Sequence, residues 1–418
     1  MRLQRVVPIR QRFEDRGLPD VAAAVRDAME SAQWTSAVAP GSRIAIGVGS
    51  RGIANIPVIT RAVADFWRSR GINPFIIPVM GSHGSATAEG QAAVLARYGI
   101  TEESMGVPVV SSLEVVKIGT TPEGIDVSMD RAAYESDGVM LVSRVKWHTA
   151  FAGRLESGVH KMMAIGLGKW EGAKRYHVFG LRLGLEQVIR SVGRVMLETG
   201  RMLGGLAILE DAYHHTAEVH ALGAAGMAER EEELLDRVKQ WKAGIPAGEL
   251  DLLIVDEIGK NISGAGMDSK VVNRGAIGRN VLPEVVKIMR IYALDLTAES
   301  GGNATGMGYC DAISDRLFQK IDFQSTWLNA FTASHPAVGA CPPHFADDRT
   351  AIEKLIMTCG KLDPSECSIA RIRNTMKLGE LLVSENLLAE IERDARIDVT
   401  GPPAELEFDS AGNLSPLE

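Results

Sequence analysis

A repeated unit constrains the fold of this chain more than any other feature: a short aliphatic run, a glycine-containing turn, then apolar residues at helical spacing. Arg43–Val48 (RIAIGV) has no polar side after its first residue, which suits a strand covered on both faces. Ile56–Arg70 follows with the spacing of an amphipathic helix, and Pro74–Val79 (PFIIPV) and Thr87–Tyr98 repeat the pair. Extended stretches are predicted near Val107–Ser111, Glu114–Gly119, Gly138–Val145 and Gly204–Leu209. Leu181–Thr199 reads as one long helix with a stripe of Leu183, Leu185, Val188, Ile189, Val192 and Met196. Strands alternating with helices predict an α/β protein.

A charged helix over Ala225–Lys242 runs into KAGIPAGELD, where Gly, Pro and a helix stop coincide, so a domain boundary is placed near residue 245. Asp251–Asp256 (DLLIVD) opens a second α/β unit. Strands near Tyr292–Leu296 and Ser368–Ile372 and helices over Ala312–Gln319 and Thr350–Cys359 complete it. The expected layout is a cofactor-binding domain over 1–245, a second α/β domain over 250–395, and a cleft between them. A polar tail, 396–418, is expected to pack on the N-terminal domain. At about 150 residues per domain, 418 residues fit that layout.

Composition narrows the function. The formal net charge is −8, which argues against nucleic acid as a partner, since phosphate binding needs clustered positive charge. Four cysteines, with no CxxC pair, argue against a disulfide framework or a cysteine zinc site and for a reducing compartment. The first twenty residues are broken by charges, and no apolar run is long enough to span a bilayer. A soluble cytoplasmic protein with no membrane partner is the expectation.

Several motifs carry possible chemistry. Gly47-Val48-Gly49-Ser50-Arg51-Gly52 matches G-x-G-x-x-G between a strand and a helix, where glycines let a backbone approach a phosphate. The acidic residue that would hold a ribose hydroxyl after the next strand is missing. A plain strand-to-helix turn and an anion site using Arg51, Gly49 and Gly52 therefore both stand beside dinucleotide binding. The loop after the second strand, Gly81–Thr87, places His83 between glycines at a strand end, a position for acid–base work or for simple capping. His214, His215 and His220 invite a metal reading, but adjacent side chains on an extended segment point to opposite faces.

The richest segment is Arg144–His177, with three of the nine histidines, four lysines and five glycines. The strand ending at Val145 delivers His148 to the same edge as His83. Lys161 opens an otherwise apolar run, KMMAIGLG; such surroundings lower a lysine's pKa and favour covalent attachment to a cofactor, whereas the plainer reading is a lysine snorkelling from a helix end. His177, read alone, passes for a surface residue.

Taken together, the G-S-H-G loop with His83, His148 followed by T-A-F-A-G, Lys161 in its glycine-rich segment and His177 sixteen residues later resemble the nickel-pincer lactate racemase family. That family includes 2-hydroxy-acid racemases and epimerases. The resemblance spans most of the chain. It implies a covalently attached nickel-pincer nucleotide, the nickel complex of pyridinium-3,5-bisthiocarboxylic acid mononucleotide, supplied by cofactor-biosynthesis proteins. By the same resemblance, Lys161 holds the cofactor, His177 ligates nickel, and His83 and His148 form the acid–base pair. Arg51, with Gly49 and Gly52, helps bind a cofactor phosphate or the substrate carboxylate.

The implied chemistry is self-consistent. The C2 hydrogen of a hydroxy acid is poorly acidic, so it leaves more easily as hydride while a base takes the hydroxyl proton. Inversion presents that hydroxyl in two orientations, hence two bases. The sequence departs from the lactate enzymes twice. The connection between Gly153 and Lys161 is longer and brings in Arg154, Glu156 or His160, with Arg154 a carboxylate partner. In Ile258–Gly275, Lys260 and Asn261 stand where those enzymes contact substrate, and Asn303 is a further candidate. Both departures favour a hydroxy acid larger or more polar than lactate. Two other readings remain: an NAD-dependent 2-hydroxy-acid dehydrogenase, and a non-catalytic anion- or nucleotide-binding protein.

Overall fold

The computed structural model describes residues 3–49, 52–81, 83–149, 151–275 and 279–417. Two compact units divide it: Glu14–Lys242, and Met1–Phe13 together with Ala243–Glu418. The first strand, β1 (Val6–Gln11), therefore belongs with the far end of the chain.

The unit 14–242 is built on β2 (Arg43–Val48), β3 (Asn73–Pro78), a separate hairpin of β4 (Val115–Thr120) and β5 (Asp126–Asp130), then β6 (Gly138–Arg144), β7 (Met202–Glu210) and β8 (Thr216–Gly223). The main sheet has the order β3-β2-β6-β7-β8, parallel except for the antiparallel β7–β8 pair. Side-chain alternation sorts its residues between two cores. Ile44, Ile46, Ile76, Met140, Val142, Leu206 and Ile208 face the helices Val21–Ser31 and Ile56–Ser69. Ala45, Phe75, Ile77, Val139, Leu141, Ala207 and Leu209 face the segment 159–167 and the helices Leu185–Glu198 and Met227–Gln240. Burying each large aliphatic side chain contributes roughly 1.5–3 kcal/mol, which explains why these strands are apolar on both sides.

The expected helix over Leu181–Thr199 is in fact two. Gly184, at φ +82°, ends Lys169–Leu183 and begins Leu185–Glu198, a turn open to glycine but strained for other residues. The helix expected over Ala312–Gln319 is likewise a three-residue strand followed by one helical turn, Asp315–Phe318.

The other unit has an eight-stranded sheet. It contains β9 (Glu249–Ile258), β10 (Lys287–Leu296), β11 (Ala312–Ser314), β12 (His344–Phe345), β13 (Ile369–Asn374), β14 (Lys377–Ser384) and β15 (Ile397–Val399). The order is β12-β11-β10-β9-β13-β14-β1-β15, with β1 antiparallel to both β14 and β15. The tail thus does not pack on the unit that contains residues 14–242, as expected from sequence. It joins β1, and β1 itself lies in the C-terminal unit. Buried charges fix it there: Arg371 and Asp256 pair at 2.7 Å, the Leu417 amide donates to Asp256 at 2.6 Å, and the Leu414 amide donates to the buried Asp348 at 2.8 Å. Those backbone groups need partners once buried, and the carboxylates supply them. No helix among the described residues is long and apolar enough to cross a membrane.

Candidate active site at the carboxyl edge of the first sheet

In an open parallel sheet, the crevice lies beyond the carboxyl ends of the strands, where the strand order reverses. Here β2 connects outward to β3 on one side while β6 lies on the other, so the reversal falls between β2 and β6. The loops that leave β2, β3 and β6 carry Gly49 and Gly52, His83, and His148.

After β2, Gly49 approaches the segment that carries Lys161: a Cβ there would lie 2.9 Å from the Met162 methyl. Gly52 faces open space, and Arg51 lies outside the described residues. The following helix starts only at Ile56, and the Ala54 amide donates to Glu210 at 2.8 Å. A dinucleotide fingerprint opens its helix at the third glycine, and this loop does not.

His83 follows β3 in a tight loop. Gly81 and Gly84 take positive φ, and a Cβ on Gly84 would meet the Gln91 amide nitrogen at 2.6 Å. Gln91 is fully buried and its side-chain amide donates to the carbonyls of Gly81 (2.9 Å) and His83 (3.3 Å). Beneath it lies a group that the sequence reading missed. Lys169, not Lys161, is the lysine sealed from solvent; its ammonium donates to Pro78 O at 2.6 Å and pairs with the buried Asp130 at 3.0 Å. Burial lowers its pKa, against the pull of Asp130. The only trace of this in the sequence is a polar residue at each end of an apolar run.

His148 follows β6 in a loop closed by the Lys146–Ser157 bridge. Its amide donates to Glu156 at 2.5 Å, and its ring lies 4.6 Å from that of Phe151. Glu156 is buried and paired with Lys239, so it braces this loop. Arg154 is exposed and pairs with Glu232 at 2.5 Å beside a shallow depression of about 530 Å³ that Phe151, Leu185 and Arg190 help line. His160 is buried in the core, where desolvation holds its pKa down at about 4.

Lys161 and His177 lie on one run of helix. Val159–Lys161 passes into a π-helical turn, Met162–Gly166, and then into Lys169–Leu183. Turns of that wide kind recur at functional sites because they re-aim side chains. The run crosses the carboxyl ends of β2 and β3: a Cβ on Gly81 would meet Ala173 at 3.3 Å, and one on Gly166 would meet Val79 O at 3.0 Å. His177 shares the face of Ala173, one turn on. Its Nδ1–H donates to Ala173 O at 2.7 Å, which leaves Nε2 as the lone-pair nitrogen. Burial lowers the His177 pKa, and the nearby Lys161 charge lowers it further, so the ring is neutral near pH 7. A neutral imidazole oriented through its other nitrogen is what a metal ligand requires.

Lys260 and Asn261 lie in the other unit, after β9. The Lys260 ammonium donates to Gly264 O at 2.6 Å and to Asn329, and Asn261 accepts from the Thr297 hydroxyl at 2.7 Å. Asn303 accepts from Thr305. Of the histidine trio, His220 pairs with Glu218, whereas His215 lies with Asp15 and Asp211; that trio is the one group among the described residues with metal-like spacing.

The fold defines a class: a two-unit α/β protein with His83 and His148 on loops at the carboxyl edge where a parallel sheet reverses its order, and Lys161 and His177 on the helical run that crosses that edge. Residues 7–183 match the lactate racemase N-terminal domain. Among solved structures, the lactate racemase apoprotein from Thermoanaerobacterium thermosaccharolyticum is similar, with a TM-score of 0.57 at 14% identity over 89% of this chain and 99% of that one. No curated protein sequence matches. Residues 7–183 thus carry a lactate racemase N-terminal domain, and the chain as a whole has the fold of that apoprotein.

Proposed function

We propose that this protein inverts C2 of a 2-hydroxy acid, using a nickel-pincer nucleotide held by Lys161 and ligated by His177. The observation that carries this reading is the arrangement of those two residues. They share one helical run, the Lys161 charge reaches the His177 ring, and His177 keeps Nε2 available. When bound, the cofactor supplies the acceptor that takes the C2 hydrogen with its electron pair and returns it.

The chain supplies the rest. One of His83 and His148 accepts the hydroxyl proton of one enantiomer, and the other serves the mirror-image alcohol; each returns its proton when the hydroxyl re-forms. Arg51, with the backbone of Gly49 and of the open Gly52, neutralises a phosphate or carboxylate. Arg154, Lys260 and Asn261 are assigned to substrate, and their polarity favours a hydroxy acid with groups beyond those of lactate. Cofactor-biosynthesis proteins are the expected partners, and the free cysteines support a cytoplasmic location.

Co-production with the cofactor-making enzymes, followed by intact mass spectrometry and nickel analysis, tests the assignment. The expected result is a cofactor-sized adduct with nickel in wild type, lost in Lys161→Ala, and inversion of at least one acid in a hydroxy-acid panel. Uptake of neither adduct nor nickel by wild type overturns it. Substrate-dependent NADH formation would favour the dehydrogenase instead.

A further inference from the structure

The segment from His148 to Lys161 carries the second base and the attachment lysine, yet most of it belongs to no strand or helix. Its backbone donors are taken by carboxylates. Glu156 accepts from the amides of His148 (2.5 Å) and Gly153 (3.2 Å). Glu186 accepts from Arg154 (3.3 Å) and Leu155 (3.2 Å), and Glu231 accepts from His160 (3.0 Å). Five amides thus rest on three glutamates.

Two glycines of the segment match this arrangement independently. A Cβ at Gly153 would lie 2.2 Å from a Glu186 oxygen, and one at Gly158 would lie 2.2 Å from a Glu231 oxygen. The carboxylates approach the chain where it has no side chain. Glu186 stands in the first turn of Leu185–Glu198, and Glu231 and the Lys239 that pairs with Glu156 stand on Met227–Gln240. A buried carboxylate is costly unless it is well used, and Glu156 and Glu231 are both 1% exposed. One carboxylate offers enough lone pairs for two neighbouring amides, so each can set the path of two residues at once.

We propose that Glu156, Glu186 and Glu231 are positioning residues: they hold the backbone of this segment so that His148 and Lys161 reach the site in fixed register. The inference rests on the racemase reading for what those side chains do. The holding itself does not depend on it. The contributions are separable, since Glu156 acts on His148 and Glu231 acts on His160, the residue before Lys161.

The test uses Glu156→Gln and Glu231→Gln in the full chain, first without cofactor. Each change removes the negative charge that the amide donors face, and in Glu156→Gln an NH₂ group also replaces one of two accepting oxygens. Amide hydrogen exchange by mass spectrometry should accelerate roughly tenfold or more, the factor for loss of one charge-assisted hydrogen bond. The change should be confined to peptides over 146–157 in Glu156→Gln and to peptides over 158–162 in Glu231→Gln. Gly158→Ala, whose methyl displaces the same carboxylate, should reproduce the Glu231→Gln pattern. Unchanged exchange, or acceleration spread evenly over the unit, overturns the proposal. In cofactor-loaded protein, Glu156→Gln should keep the Lys161 adduct and the KM but lose kcat, whereas Glu231→Gln should lower adduct yield. Localised exchange changes in a chain that never takes up the adduct would sink the racemase reading and leave the positioning role intact.

Discussion

Single residues at the site divide by what stands behind them. Gly84 takes φ +65°, and a Cβ there would press on backbone 2.6 Å away, so Gly84→Ala should cost about 2 kcal/mol or more. Gly49 has ordinary geometry, and its added methyl would meet only the flexible end of Met162; Gly49→Ala should cost under about 1 kcal/mol. Urea denaturation of the two variants checks the contrast, and equal losses would contradict it. Lys161→Arg keeps a cation near His177 but removes the nucleophilic amine. It should leave the fold unchanged by circular dichroism and abolish the adduct.

At the scale of the element, the stretch 159–169 of the helical run is held at both ends by buried charge. Lys169 sits at φ +52° at the start of its helix and repays that strain through Pro78 O and Asp130. Lys169→Met leaves Asp130 buried and unpaired, and should destabilise by about 3–5 kcal/mol. Adding Asp130→Asn should recover part of that loss in a double-mutant cycle; simple additivity would show that the pair is not coupled. At the other end, His160 and Glu231 titrate in opposite senses. Burial holds His160 at about 4, so the unfolded chain binds its proton first, and this contribution is lost as pH falls from the ordinary histidine range toward 4. Burial pushes Glu231 up to about 7, so the folded chain binds the extra proton, and that contribution is lost as pH rises from 4.5 toward 7. In His160→Leu only the glutamate's slope remains. Relative to wild type, the variant should lose about 2 kcal/mol between pH 5 and pH 7, at about 1.4 kcal/mol per unit up to the ordinary histidine value of 6.5. Parallel pH profiles would contradict the assignment.

How far the sequence was legible follows from the same elements. Strands such as RIAIGV declare themselves because both faces are buried, and they carried the α/β reading. The helix over Lys169–Leu183 did not, since only a few of its residues face the core and charges fill the rest. The proposed roles of His83, His148, Lys161 and His177 came from the family resemblance, not from periodicity. Gln91, Lys169, Asp130 and Glu231 were not legible, because a buried polar residue is defined by its partners, and those lie far away in the chain. β1 and β15 were missed for a related reason: strands six and three residues long, at or next to a sheet edge, acquire their identity only from their neighbours.

At the scale of the whole molecule, the unit 14–242 is continuous in sequence and has its own cores, so it should fold alone. A fragment of residues 14–242 should be soluble, with native-like circular dichroism and a cooperative transition; a chain without such a transition would show that it depends on the rest. The other unit is closed by its two ends, since β1 lies between β14 and β15. Deleting residues 3–13 should lower one unfolding transition in calorimetry and leave the other in place.

That closure sets an order of events during synthesis. β1 leaves the ribosome more than 360 residues before its partners at 377–384 and 397–399. At roughly 5–20 residues per second, the first strand waits tens of seconds while an entire folding unit forms behind it. An unpaired apolar strand is an invitation to other chains. The sequence VVPIRQ carries a proline and an arginine within that strand, and both discourage premature pairing during the wait.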